Sequence, residues 1–221
     1  MTTCKPLDST LQQISQLQLD SSKPLVICDV DEVVLHFIAG FERYLSRNEL
    51  WLDPASFALN GNVKYKESGE SVDNEELRQH FADFFEQEAH RLDAIEGAAQ
   101  ALASLAGDTN VLMLTNLPDQ YRPARIANLD DHGMPYPVIA NQGPKGPAVK
   151  TIARGHQQPI VFVDDIPNYL RSVGDHCPDV HLVHFMQDER FGRHVPPLDY
   201  VSLRADNWSE THAHIDALLS G

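Results

Sequence analysis

Three apolar, β-branched runs along the chain stop abruptly at polar residues. VIC (26–28) ends in Asp29 and Asp31, VLML (111–114) in Thr115, and IVFV (160–163) in Asp164 and Asp165. Runs of this kind predict buried parallel strands. Further strands are expected over 137–140 and 180–185. Between them lie helical patterns: 94–106 stopped by Gly107, 121–131 ending near Gly133, 145–154 stopped by Gly155, 167–174, and a closing segment at 208–219. Residues 1–22 are polar, with Leu11, Ile14, Leu17 and Leu19 loosely helix-spaced, which predicts a weak helix or arm.

The stretch from 37 to 93 breaks this rhythm. Phe41, Tyr44 and Leu45 follow helical spacing, as do Leu77, Phe81, Phe84 and Phe85, and 59–69 reads as a polar loop. No buried strand is evident there. The expected class is therefore α/β: a Rossmann-like parallel sheet with helices on both faces, formed by 1–36 and 94–221, and a small helical module at 37–93 inserted after the first core strand.

In an open α/β sheet, ligands bind outside the carboxyl ends of the strands. The polar tips, distant in sequence, are thus expected to meet. Asp29 and Asp31, two apart, point the same way where the chain leaves the sheet. One carboxylate can then attack while the other exchanges a proton, although Asp-x-Asp is also a common turn pattern. Thr115 and Asn116 can hold a phosphoryl oxygen or cap the next helix. Lys145, in a loop at an expected helix start, either pairs with the carboxylates or is solvated. Asp164 and Asp165 repel one another at the end of a buried strand. One can serve as a helix cap and the other as a metal ligand. Four carboxylates in one place need a cation, and all-oxygen ligands point to Mg²⁺.

Composition narrows the partners. The 221 residues suffice for one core with a small accessory module. A formal charge of −15 disfavours binding to nucleic acid or an anionic membrane. There is no signal-like apolar segment near the N-terminus and no run of membrane-span length. Cys4, Cys28 and Cys177 are odd in number and widely spaced, with no CxxC pair, which fits a reducing cytoplasm. The eleven histidines form no zinc pattern: His181 and His184 fall on opposite faces of a strand, and His212 and His214 diverge on a helix.

Four segments in order resemble the haloacid dehalogenase (HAD) superfamily of aspartate-nucleophile hydrolases. DVDEV (29–33) resembles its first motif, LMLTN (112–116) its second, Lys145 its third and FVDDIPNYL (162–170) its fourth. The resemblance spans about 25–185. It implies that Asp29 is the nucleophile and Asp31 the acid and base. It also implies that Mg²⁺ is held by the Asp29 carboxylate, the Asp31 backbone carbonyl and Asp165, with Asp164 in support. Thr115 would bind the phosphoryl group and Lys145 would offset charge beside Asp29. Lys150 competes with Lys145 for that role but is expected further along the helix. The 37–93 insertion looks like the family's helical cap, and His36, Phe37, Phe41 and Tyr44 are candidate pocket residues beside Asn116, although packing within the cap is the favoured role for the three aromatics. Many members have Gly where Glu32 stands and an acid where Tyr169 stands. The implied function is a cytoplasmic, Mg²⁺-dependent phosphatase acting on a small phosphorylated metabolite. The alternatives are a phosphomutase, a dehalogenase, or a noncatalytic phospholigand-binding protein. Oligomeric state is not legible.

Overall fold

Every residue of the first strand is apolar and fully buried, so it can only be central. The computed structural model describes residues 5–219; Cys4 lies outside them. The elements run α1 (Asp8–Ser15), β1 (Leu25–Cys28), α2 (Phe37–Arg47), β2 (Leu50–Leu52), β3 (Val63–Tyr65), α3 (Asn74–Glu88), α4 (Ala98–Leu105), β4 (Asn110–Asn116), α5 (Arg122–Asp131), β5 (Val138–Asn141), α6 (Gly146–Ile152), β6 (Ile160–Asp164), α7 (Pro167–His176), β7 (His181–Phe185), α8 (Glu189–Gly192), β8 (Leu203–Ala205) and α9 (Trp208–Leu219).

Six strands form one parallel sheet in the order β5-β4-β1-β6-β7-β8. Counting only these strands along the chain, the order is 3-2-1-4-5-6, the Rossmann arrangement. The chain winds outward from β1 through β4 to β5, then returns to the other side of β1 as β6. The tips of β4 and β6 therefore flank the tip of β1.

Side chains alternate between the two faces, as the strand period requires. Val26, Cys28, Met113, Val161 and Val183 pack in the layer that holds α4 and α9. Leu25, Ile27, Leu112, Phe162 and Leu182 pack in the layer that holds α6 and α7. The outer strand β5 is covered by α1. Thr10 Oγ1 donates to the Ala140 carbonyl at 2.9 Å, and the Ala140 N–H donates to Gln13 Oε1 at 2.8 Å.

Between β1 and α4 the chain leaves the sheet and returns along a paired route. The His36 N–H donates to the Asp93 carbonyl and the Ile95 N–H to that of Val34, both at 2.9 Å. The inserted residues include a pair of strands, where the sequence expectation was helices and a loop. β2 and β3 pair antiparallel between the two helices, and β3 falls inside the stretch expected to be loop. Each has three residues, too few to show an alternating pattern. For the same reason β8 and the single-turn α8 were not anticipated. The first helix after the insertion also starts at Ala98 rather than 94: Ala94 bridges Leu35, and Gly97 precedes the helix at a φ of 80°. Among the described residues no helix is long and apolar enough to cross a membrane.

Candidate active site

Asp29 follows β1 directly, and its N–H still donates to the Val163 carbonyl of β6 at 2.9 Å. The next residues turn back sharply. Val33, Val34 and Leu35 all donate to the Val30 carbonyl, and Glu32 takes a φ of 59°. That is the left-handed region, which favours glycine. Glu32 is held there by its side chain, whose Oε1 accepts from the Ile38 N–H in the first turn of α2 at 2.6 Å. It thus joins the β1 tip to the insertion.

The tips of β1, β4 and β6 converge as expected. Carboxylate oxygens of Asp29, Asp164 and Asp165 lie within 4.8 Å of one another. The Lys145 Nζ sits between two of them, 2.8 Å from Asp29 Oδ1 and 2.7 Å from Asp164 Oδ2. Lys145 is fully buried, whereas Lys150 is exposed on α6. Burial works against the lysine's charge, but Asp164 and Asp29 outweigh it and hold the ammonium above its ordinary range. Its placement depends on Gly146, the first residue of α6. A Cβ there would overlap the Ser172 carbonyl of α7, so only glycine lets α6 start this close.

Asp164 is satisfied by Lys145 and by the Ile166 N–H at 2.9 Å. Asp165 is not. Its Oδ1 is buried without a hydrogen-bond partner among the described residues. Burial, together with Asp164, Asp29 and Glu32, pushes the Asp165 carboxyl well above its ordinary value. Five carboxyl groups (Asp29, Asp31, Glu32, Asp164 and Asp165) gather here against the buried cations Lys145 and Arg125. An unpartnered carboxylate oxygen within an all-oxygen trio fits a hard divalent cation such as Mg²⁺.

The Asp31 carboxylate is not part of the trio, in keeping with an expected metal role for its backbone carbonyl and not its side chain. Its Oδ1 lies 2.7 Å from Nη1 of Arg125, a fully buried guanidinium on α5. Burial raises the Asp31 carboxyl, Arg125 pulls it back, and the net shift is upward. Sequence reading passed over Arg125. The available signal was its spacing: it stands one helical turn before the buried Leu129, on the apolar face of its helix.

Thr115 is fully buried, and its Oγ1 also lacks a partner among the described residues. Asn116 is more committed. Its Nδ2 donates to the Gly143 carbonyl at 2.9 Å and to Tyr169 Oη at 2.7 Å, while its Oδ1 accepts from Asn141 at 2.8 Å. Tyr169 also lays its ring 5.1 Å from Lys145 Nζ, which gives a physical role to a residue that otherwise only marked a departure from the family pattern. His184 of β7 is a second missed residue. Its Nε2 donates to the Asp165 backbone carbonyl at 3.1 Å. Burial lowers its pKa to about 4, so the ring is neutral and steadies the loop that carries Asp165.

Asp29, Asp31, Thr115, Asn116 and Asp165 all line a chamber of about 350 Å³. Phe37, Phe57, Phe81 and Phe85 of the insertion also line it, and so do Met186, Asp188 and Phe191, which follow β7. The segment after β7 grips the insertion. Arg190 pairs with both Asp188 and Glu42, each at 2.7 Å, and Arg193 and His194 reach the Pro54 carbonyl. Three of the candidate pocket residues do not line the chamber. His36 does not line the chamber; it sits in the linker, with its N–H on Asp93. Phe41 and Tyr44 turn into the insertion's own core. Phe41 stacks on Phe81 at 4.9 Å, and Tyr44 Oη meets His80 Nδ1 at 3.1 Å.

No family model matches this sequence, and no curated protein matches it. Solved structures do. A haloacid dehalogenase-like hydrolase family protein from Streptococcus pneumoniae is similar with a TM-score of 0.63 at 12% identity, over 89% of this chain and 100% of that one. A HAD-hydrolase of Bacillus subtilis, bound to magnesium, is similar with a TM-score of 0.62 at 14% identity, over 88% and 99%. An L-2-haloacid dehalogenase is similar with a TM-score of 0.58 at 12% identity, again over 88% and 99%. The chain has the fold of the haloacid dehalogenase hydrolases, a six-stranded parallel sheet with helices around it.

Proposed function

We propose that this protein is a Mg²⁺-dependent phosphatase that hydrolyses a small phosphomonoester through an aspartyl-phosphate on Asp29. The observation that carries the reading is the pairing of Asp29 and Asp31 at one strand tip. Both face a chamber that also presents the unpartnered Thr115 hydroxyl and Asp165 carboxylate. Phosphoryl transfer asks mainly for placement and charge neutralisation.

An Asp29 carboxylate oxygen attacks phosphorus as the bond to the leaving oxygen breaks. Asp31, whose protonated form is favoured by burial, gives a proton to that oxygen. A water then attacks the aspartyl-phosphate, Asp31 takes the water's proton, and the bond between phosphorus and Asp29 breaks to free phosphate. The Thr115 hydroxyl donates to a phosphoryl oxygen, and Lys145, 2.8 Å from Asp29 Oδ1, aims that carboxylate and offsets charge beside it. Bound Mg²⁺, held by Asp29 and Asp165 beside Asp164, would neutralise charge on the phosphoryl oxygens. The presence of Asp31 weighs against a dehalogenase, which has no leaving oxygen to protonate. The inserted residues 37–93 act as a cap over the site, with 1–36 and 94–221 as the core.

The test is Asp29→Asn. Its circular dichroism and melting temperature should match the parent, while Mg²⁺-dependent phosphate release from acetyl phosphate disappears. A folded variant that retains near-parental turnover would remove Asp29 from the nucleophile's role.

A further inference from the structure

The phosphoryl-handling residues fill one part of the chamber; the rest must receive the leaving group. That remainder is mostly aromatic and apolar, with Glu32, Tyr169, Gln187 and Asp188 as its polar members. Phe37, Phe57, Phe81 and Phe85 come from the insertion, and Met186 and Phe191 from the segment after β7. Both halves of the molecule therefore contribute the same chemistry. At about 350 Å³ the chamber lies near the small end of ligand sites, roughly 300–1,000 Å³.

The charges exclude one large class of substrates. Among the described residues that line the chamber there is no lysine, arginine or histidine. The two buried cations are already engaged, Lys145 by Asp29 and Asp164, and Arg125 by Asp31. The charged lining residues beyond the phosphoryl centre, Glu32 and Asp188, are acidic. Asp188 is paired with Arg190, so a second phosphate or a carboxylate on the leaving group would meet phenyl rings and carboxyl groups with no unengaged cation among the lining residues. A polyol fares poorly for another reason. Most of its hydroxyls would lie against phenyl rings, with only the few polar side chains Glu32, Tyr169, Gln187 and Asp188 to pair with, and each unpaired buried hydroxyl carries a desolvation cost.

Resting on the phosphatase reading above, we infer that the substrate is a monophosphate ester of a hydrophobic alcohol, of about benzyl size, that bears no second anionic group.

The test compares esters of similar leaving tendency on the full-length protein with Mg²⁺: benzyl phosphate, 4-methylbenzyl phosphate, 4-carboxybenzyl phosphate and glycerol 1-phosphate. Acetyl phosphate serves as a reporter of the phosphoryl centre that needs no leaving-group contact. The expected result is a kcat/KM for the two uncharged benzyl esters that exceeds the other two by roughly 10- to 200-fold. Phe57→Arg, at a half-buried position in the β2–β3 loop, should narrow the gap between the 4-methyl and 4-carboxy esters, and Phe57→Ala should lower both benzyl rates without reversing their order. Equal or better turnover of the carboxylate or glycerol ester, with acetyl phosphate still hydrolysed, would overturn the substrate class and leave the phosphatase standing. No Asp29-dependent phosphate release from any of the five compounds would overturn both.

Discussion

Arg125 and Glu32 show how single residues set the site's chemistry without touching phosphorus. Arg125 draws the Asp31 carboxyl down against burial, so under the proposed mechanism it would tune the proton donor. Arg125→Met should lower kcat far more than it alters KM. It should also shift the limb of the pH–rate profile governed by Asp31 to higher pH, with Arg125→Lys partly restoring both. An unchanged limb would reduce Arg125 to packing. Glu32 offers a separate test through stability. Burial pushes its pKa from 4.5 to about 7. Between those values the folded protein binds more protons than the unfolded chain, so this group's contribution to stability is lost as pH rises through that window. Glu32→Gln keeps an acceptor for the Ile38 N–H and has no such proton. In metal-free protein, the melting temperature of the variant relative to the parent should therefore rise from pH 5 to pH 8. A difference that stays flat with pH would place the titrating group elsewhere. Asp29, Asp31, Thr115, Lys145 and Asp165 were all legible in the sequence, because each follows an apolar run or a Gly/Pro turn. The partners that modulate them were not. Arg125 and His184 lie on other elements, and only the assembled sheet brings them near.

Elements were legible in proportion to their length. The seven-residue β4 and twelve-residue α9 carry enough positions for a period to show, whereas β2, β3 and β8, with three each, do not. The aromatic spacing in α2 and α3 correctly announced two amphipathic helices. It could not say which rings face the other helix and which face the chamber, since one helical face serves both. Phe41 has no exposed surface and stacks within the insertion, while Phe37 reaches both the ring cluster and the chamber. Phe41→Ala should therefore lower stability by about 3–5 kcal/mol and depress all substrates in proportion. A changed substrate order with an unchanged melting temperature would return Phe41 to the pocket.

At the scale of the whole molecule, the parallel sheet was foreseen because each apolar run ends in a polar tip. The strand order follows from where the chain must return. The grip of the segment after β7 on the insertion was not foreseen, since MQDERFGRHVPP carries no periodic signal. Nor was the task of α1, read only as a weak helix. A strand at the margin of a sheet offers unpaired backbone groups to any passing strand. Here Thr10 and Gln13 occupy both such groups of Ala140. Replacing them together, Thr10→Val with Gln13→Ala, should leave the site intact yet make apparent mass in light scattering grow with protein concentration. A variant that stays at one mass across the range would show that the margin needs no such cover. The order of synthesis gives the arrangement a further meaning. Residues 8–15 leave the ribosome well before 138–141, so the segment that covers this margin is already at hand when the strand is made, and cover can form without waiting for later chain.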